Sequence, residues 1–192
     1  MKPFYFLLAF GLCFCHGEKN ADRQQVVKNY RSGKRMLVYS MLDGKLDGTY
    51  TWYAESGPAL MMENYVAGLT QGKSFQYDSS GWLKSEFFYV DNVMNGPFRF
   101  FFPNGNIQTE GTMLGKKKAG IEKHYYSTGQ IFQVRDHRTS PSKIVEYYRN
   151  GHRRITGQTF GKDFEGPVFL FDSVATDSVQ ATVDHGKLRA LK

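Results

Sequence analysis

The residues of this chain best suited to chemistry stand close together: His124, Asp136, His137 and Arg138. A histidine beside a carboxylate can act as an acid–base pair, and a guanidinium next to it can hold an anionic group. Lys116, Lys117 and Lys118 form a basic run suited to acidic groups, and Trp52, Trp82 and Tyr126 are rings able to stack on sugars. His16, His124, His137, His152 and His185 lack metal-ligand spacing. No HExxH, CxxC, Gly-x-Ser-x-Gly or phosphate-cradling glycine loop occurs, so no cofactor is implied.

These residues are positioned by a metre. Gly33, Gly57, Gly81, Gly105 and Gly129 lie 24 residues apart, and a second ladder, Gly48, Gly72, Gly96 and Gly120, follows the first at an interval of 15 residues. Within it, His137 occupies the slot filled by Met41, Tyr65, Tyr89 and Met113, and His124 replaces Trp52 and Phe100. Both histidines therefore read as packing residues, and the chain reads as non-catalytic.

One copy, Gly72 to Asn95, shows the expected unit: two extended runs, 72–77 and 82–89, separated by a turn at Gly81 and followed by a second turn at Asp91-Asn92. Asp43-Gly44, Ala67-Gly68 and Gly115-Lys116 stand where Asp91-Asn92 does, as pairs suited to tight hairpins. Ala59, Leu83, Ile107 and Ile131 recur two residues after the first-ladder glycine, and Met41, Tyr65, Tyr89, Met113 and His137 eight after it. Even spacing puts both sets on one pleated face, where stacked copies would bury what one copy cannot. Tyr53, Tyr77, Phe101 and Tyr125 recur five residues after the second-ladder glycines, which are expected to form bulges or to make room for that ring. The expected fold is all-β: an elongated antiparallel β-meander built from 24-residue hairpin repeats.

The ends and one insertion depart from the metre. Residues 1–17 read as an export signal, with Lys2 before an apolar run from Phe4 to Cys15. Cleavage near Gly17 would remove both cysteines, although Cys13 or Cys15 could instead carry a lipid anchor. Residues 18–25 form a polar leader, 26–172 the repeat array, and 173–192 a capping strand and polar tail. Arg138 to Lys143, with Pro141, reads as an irregular loop, after which Gly151, Gly166 and Phe171 restore the pattern. The net charge of +7 is spread among 18 acidic residues, so composition favours acidic partners only weakly, and no nucleic-acid motif is present.

Gly96-Pro-Phe-Arg-Phe-Phe-Phe-Pro-Asn-Gly105-Asn-Ile107 and Gly120-Ile-Glu-Lys-His-Tyr-Tyr-Ser-Thr-Gly129-Gln-Ile131 resemble the MORN repeat variant, the G-x4-Y-x3-G-x-l unit of bacterial proteins often labelled YwqK-family antitoxins. The resemblance covers roughly residues 26–172 and implies interaction or scaffolding with no catalytic residues to carry over. With the leader, it points to an exported, periplasmic, envelope-associated or secreted protein-binding module. The alternatives are a cell-wall glycan or anionic lipid binder, with Lys116–Lys118, Trp52, Trp82, Tyr126 and Arg138 as contacts, or an antitoxin-like partner of a toxin protein. Nucleic acid is not expected as a partner.

Overall fold

The computed structural model describes residues 22–161, 163–174, 176–184 and 186–190. The expected export signal, 1–17, lies outside them. The described chain is one antiparallel sheet: β1 (Gln24–Asn29), β2 (Arg35–Leu42), β3 (Lys45–Tyr53), β4 (Ala59–Val66), β5 (Leu69–Thr70), β6 (Gly72–Tyr77), β7 (Leu83–Val90), β8 (Val93–Phe101), β9 (Ile107–Leu114), β10 (Lys117–Tyr125), β11 (Ile131–Asp136), β12 (Ser142–Tyr147), β13 (Arg153–Thr159), β14 (Glu165–Phe171), β15 (Ser178–Asp184) and β16 (Lys187–Ala190). Strands pair in chain order from β1 to β16, with the short β5 pairing only with β4. The architecture is the expected β-meander, and among the described residues its outermost strands, β1 and β16, each pair on one side only.

Two kinds of turn alternate along it. At the first-ladder glycines the chain closes a hydrogen bond from the glycine N–H to the carbonyl three residues back, as in Gly105 to Phe102, and Phe102 N–H reaches Asn106 O across the turn. Gly105 sits at φ +85° with nothing within 4 Å of a Cβ position, so backbone conformation alone selects glycine there. The opposite turns are two-residue hairpins with φ of 49° and 74° at Asp43-Gly44, 49° and 88° at Ala67-Gly68, and 49° and 66° at Asp91-Asn92. Positive φ at both positions matches the twist of the flanking strands, as the pairs of residue types predict.

The second ladder corrects one expectation. Its glycines do form irregular positions in the strands: the pairing of β7 with β8 shifts between Phe87 and Tyr89, beside Gly96. However, the recurring ring does not occupy the space above them. Nothing lies within 4 Å of a Cβ on Gly72, Gly120 or Gly166, and at Gly96 (φ +148°) the neighbour is Phe88 at 2.9 Å, not Phe101. The ring at the fifth residue belongs to the other side of the sheet. Tyr77 Oη approaches Met62 Sδ at 3.8 Å, and Tyr125 Oη donates to Glu110 at 2.7 Å. Met62 and Glu110 alternate with the inward-facing Met61 and Thr109, so these tyrosines face outward.

Burial concentrates on one face and along one transverse row. Register pairs carry that row through Tyr39, Tyr50 and Glu63, then Ser74, Phe87, Phe98 and Gly111, and later Arg135, Ile144 and Gly157, then Val168 and Ala181. Ser74, Phe98, Ile144, Val168 and Ala181 in it are almost completely covered, as is Glu122 between Gly111 and Arg135. The set at the eighth position shares this face but is only half-buried, so the deepest stripe lies beside the one that the alignment suggests. Space in the row is shared between large and absent side chains. A Cβ on Gly111 would stand 2.8 Å from the Phe98 ring, and one on Gly157 2.8 Å from Val168. A single layer cannot be packed from both sides, which is why among the described residues eight buried ones are polar or charged against six apolar ones.

The last segment is a hairpin in place of one strand and a tail. β15 contributes Ala181 and Val183 to a cluster with Val168, Ile155, Phe164 and Leu170, and β16 pairs along it.

Candidate binding faces

The most concentrated chemistry on the inner face is a carboxylate that no recurring residue type announces. Glu122 on β10 is 2% exposed, in a slot held elsewhere by Tyr50, Ser74, Phe98, Ile144 and Val168. Its Oε1 accepts from Lys118 Nζ at 2.6 Å and lies 3.2 Å from His124 Nε2, and its Oε2 is 2.7 Å from His137 Nε2. Alternation puts Glu122 and His124 on the same face, and His137 comes from the segment after β11 that pairs back to Gly120 O through its backbone N–H. Thr109 Oγ1 lies 3.1 Å from His124 Nδ1, fixing that ring from its far side. Burial pushes the Glu122 carboxyl upward, but the hydrogen bonds from His124, Lys118 and His137 outweigh it and hold the group well below the usual carboxylate range.

This arrangement locks charge in place. The Lys118 ammonium sits on the carboxylate where a metal cation would have to stand. Among the described residues no group of three His, Cys, Asp or Glu side chains is disposed to hold a metal ion. The sequence separates Glu122 from His137 by 15 residues, and only the pairing of β10 with β11 brings them together. The legible signal was the i, i+2 spacing of Glu122 and His124, which shares a face in any strand.

The lysine run divides. All three lysines are exposed, but Lys118 alone reaches Glu122 with its ammonium, which lies 5.8 Å from the Phe98 ring centroid. Arg138 is exposed and grips Asp136 with two guanidinium nitrogens at 2.8 and 2.7 Å, which holds the Asp136 carboxyl down at about 2. Asp136 and Arg138 therefore form a pair separate from the Glu122 cluster, although His137 stands between them in the sequence.

The three candidate rings also part company. Trp52 is 42% exposed on the inner face, opposite Leu37 and Met61 in register. Trp82 is half-buried in the turn after Gly81, its carbonyl accepting from Asp78 N–H. Tyr126 is half-buried: its hydroxyl donates to Tyr147 O at 2.9 Å, its ring meets Phe132 edge-on, and the Arg149 guanidinium lies 4.6 Å from its centroid. Tyr30 and Tyr148, in equivalent slots, make the same reach to Tyr53 O and Phe171 O. These tyrosines clip one repeat to the next, a role not legible in the sequence because Ala54, Asp78 and Phe102 interrupt the column.

The outer face carries a charge ladder. Glu86, Arg99, Glu110 and Lys123 stand opposite one another on successive strands, and Lys73 adds to the end at 2.7 Å from Glu86. The Arg99 contacts are long, 3.6 Å to each carboxylate, and the cations are 42–59% exposed, so the ladder contributes little stability and mainly fixes pairing partners. Next to it, burial and the hydrogen bond to Glu110 push the Tyr125 hydroxyl up to about 12.

No curated protein matches the chain. The outer-face ladder and the buried Phe87 and Phe98 fall largely within two units, residues 70–91 and 94–114, that match the family model of the MORN repeat variant. The same two-turn unit is repeated on either side of those two stretches, which are the part of the chain that is similar to the MORN repeat variant.

Proposed function

We propose that this protein is an exported, non-catalytic scaffolding module of the bacterial cell envelope that holds a protein partner along the inner face of its sheet. Repeats of this family generally serve protein or membrane-lipid interactions, which supports a binding role. The observation that carries the reading is the pair of transverse rows on the inner face. One is buried and keeps the sheet in shape. The next, two residues along each strand, presents Trp52 at 42% exposure between Leu37 and Met61, and Phe100 at 37% between the buried Ser85 and Thr109. Half-exposed rings on a preformed surface supply contact area at little entropic cost. Export rests on the Lys2-to-Gly17 leader, and an antitoxin-like role would be this same docking with a toxin as the partner.

A photo-crosslinking side chain placed at Trp52 or Phe100 should trap a discrete protein adduct in cells, and one at Phe169, 46% exposed on the outer face, should not. Equal trapping on both faces, or none at either, would overturn the assignment. A change in tryptophan emission on adding wall polymer, with no protein adduct, would favour glycan binding in its place. Mass spectrometry of the native N-terminus tests export: a chain that retains residues 1–17 would refute it.

A further inference from the structure

We propose that the chain forms a two-fold dimer by pairing β1 with β1 of a second copy, which joins two arrays into one continuous sheet. Among the described residues the outermost strands, β1 and β16, each pair on one side only, and they differ in length and charge. At the far edge, β16 is only four residues long and carries two cations, Lys187 and Arg189, the second paired with Asp184 at 2.9 Å; a short, charged edge strand discourages pairing. The near edge, β1, reads Gln24-Gln-Val-Val-Lys-Asn29. It carries one cation, Lys28, with Arg23 just before it, and both are exposed but have partners on the neighbouring strands. Arg23 is engaged by Asp47 of β3, and Lys28 lies over the Tyr39 ring of β2 at 5.8 Å. What remains at the edge is amide and valine, with Val27 half-exposed on the outer face.

Geometry and chemistry favour a second copy as the occupant. In an antiparallel pair, alternate residues turn their N–H and C=O groups to the same side. Two identical edges can therefore hydrogen-bond across a two-fold axis only if paired residue numbers have the same parity. An axis through Val27 satisfies this: it sets Val27 against Val27 of the second copy, Gln25 against Asn29, and Val26 against Lys28. Each pairing is amide with amide, valine with valine, or valine with the stem of a lysine whose head lies over Tyr39. No like charges are opposed, so the edge is complementary to itself without a further component.

The test uses the full chain with Cys13→Ser and Cys15→Ser, followed by sedimentation velocity over a range of concentrations. The expected result is a concentration-dependent monomer–dimer equilibrium. Val27→Cys should give a disulfide-linked dimer under mild oxidation, and Leu188→Cys on the opposite edge should not. Val27→Lys opposes two ammonium groups across the axis and should leave monomer with unchanged β circular dichroism. If that variant fails to fold, Gln25→Lys guards the edge in the same way and should also be monomeric. A monomer at every concentration whose Val27→Cys form cross-links no faster than the Leu188→Cys form would overturn the proposal. A dimer that persists in folded lysine variants would do the same.

Discussion

Replacing Glu122 by Gln asks how much of the array's stability depends on one buried charge. The carboxylate is 2% exposed and accepts from three donors, and removing one partner of a buried ion pair typically costs about 3–5 kcal/mol. Two features lower that figure here. Gln keeps the volume and one acceptor oxygen, and Lys118, already half-exposed, can return its ammonium to water. His137 is only 15% exposed and would be left facing an amide, a mismatch of roughly 1–3 kcal/mol. The expected loss is thus about 2–3 kcal/mol, or a fall in Tm of about 5–10 °C for a chain of this length. The pH dependence supplies a second check. Because the folded pKa of Glu122 is depressed, its contribution is complete above the unfolded value of about 4.3 and declines as pH falls through that value toward the folded one. Urea unfolding followed by circular dichroism should therefore show a wild-type advantage that shrinks as pH falls below about 4. A difference under about 0.5 kcal/mol, or one that does not change between pH 7 and pH 3, would refute the idea that this carboxylate organises the cluster.

Further substitutions separate the roles of the glycines, the clips and the surface pair. Gly105→Ala meets no neighbour but must hold φ +85°, which costs about 1–2 kcal/mol, whereas Gly111→Ala has an ordinary backbone and pushes a methyl into the Phe98 ring at about 1–3 kcal/mol. Adding Phe98→Leu should rescue the second and leave the first unchanged, as thermal unfolding of the single and double variants would show. Tyr126→Phe and Tyr148→Phe each remove one hydroxyl that ties neighbouring repeats, and each should lower stability by about 1 kcal/mol in urea titrations without changing the β signal. In Arg138→Ala the Asp136 carboxyl should rise from about 2 to the ordinary carboxylate range in an NMR titration, with the Glu122 cluster unaffected.

Much of the fold is legible in the residues. A 24-residue glycine metre, with residue pairs suited to tight hairpins between its beats, leaves room for little except strand, turn, strand and turn, and both turn types come out as those pairs dictate. Local conformation suffices for that, because positive φ is a property of a single residue and a two-residue loop fixes the register of the strands it joins. The breaks in the metre are legible too: Arg138 and Pro141 do fall in a loop between β11 and β12.

The sites were harder to see because they are defined across strands. Alignment of copies finds columns where residue types recur, whereas the buried row changes type from Tyr50 to Ser74, Phe98, Glu122 and Ile144 and so has no consensus. Lys118 reads as part of a basic run until strand pairing brings Glu122, His124 and His137 around one point. The ring at the fifth position recurs faithfully, yet which face it takes depends on irregular pairing at the strand ends, where its register shifts against the next strand.

The period, the turns and the all-β meander are legible in the residues alone, because each follows from interactions within about 24 residues. Which row is buried, that Glu122 is held by three donors from β10 and the segment after β11, and that Lys118 reaches Glu122 while Lys117 points to the other face follow only from how the strands pair. The physical reason is that burial in a single-layer sheet is set by what each side chain meets on the next strand, and that neighbour is chosen by register and bulges instead of by position in the repeat.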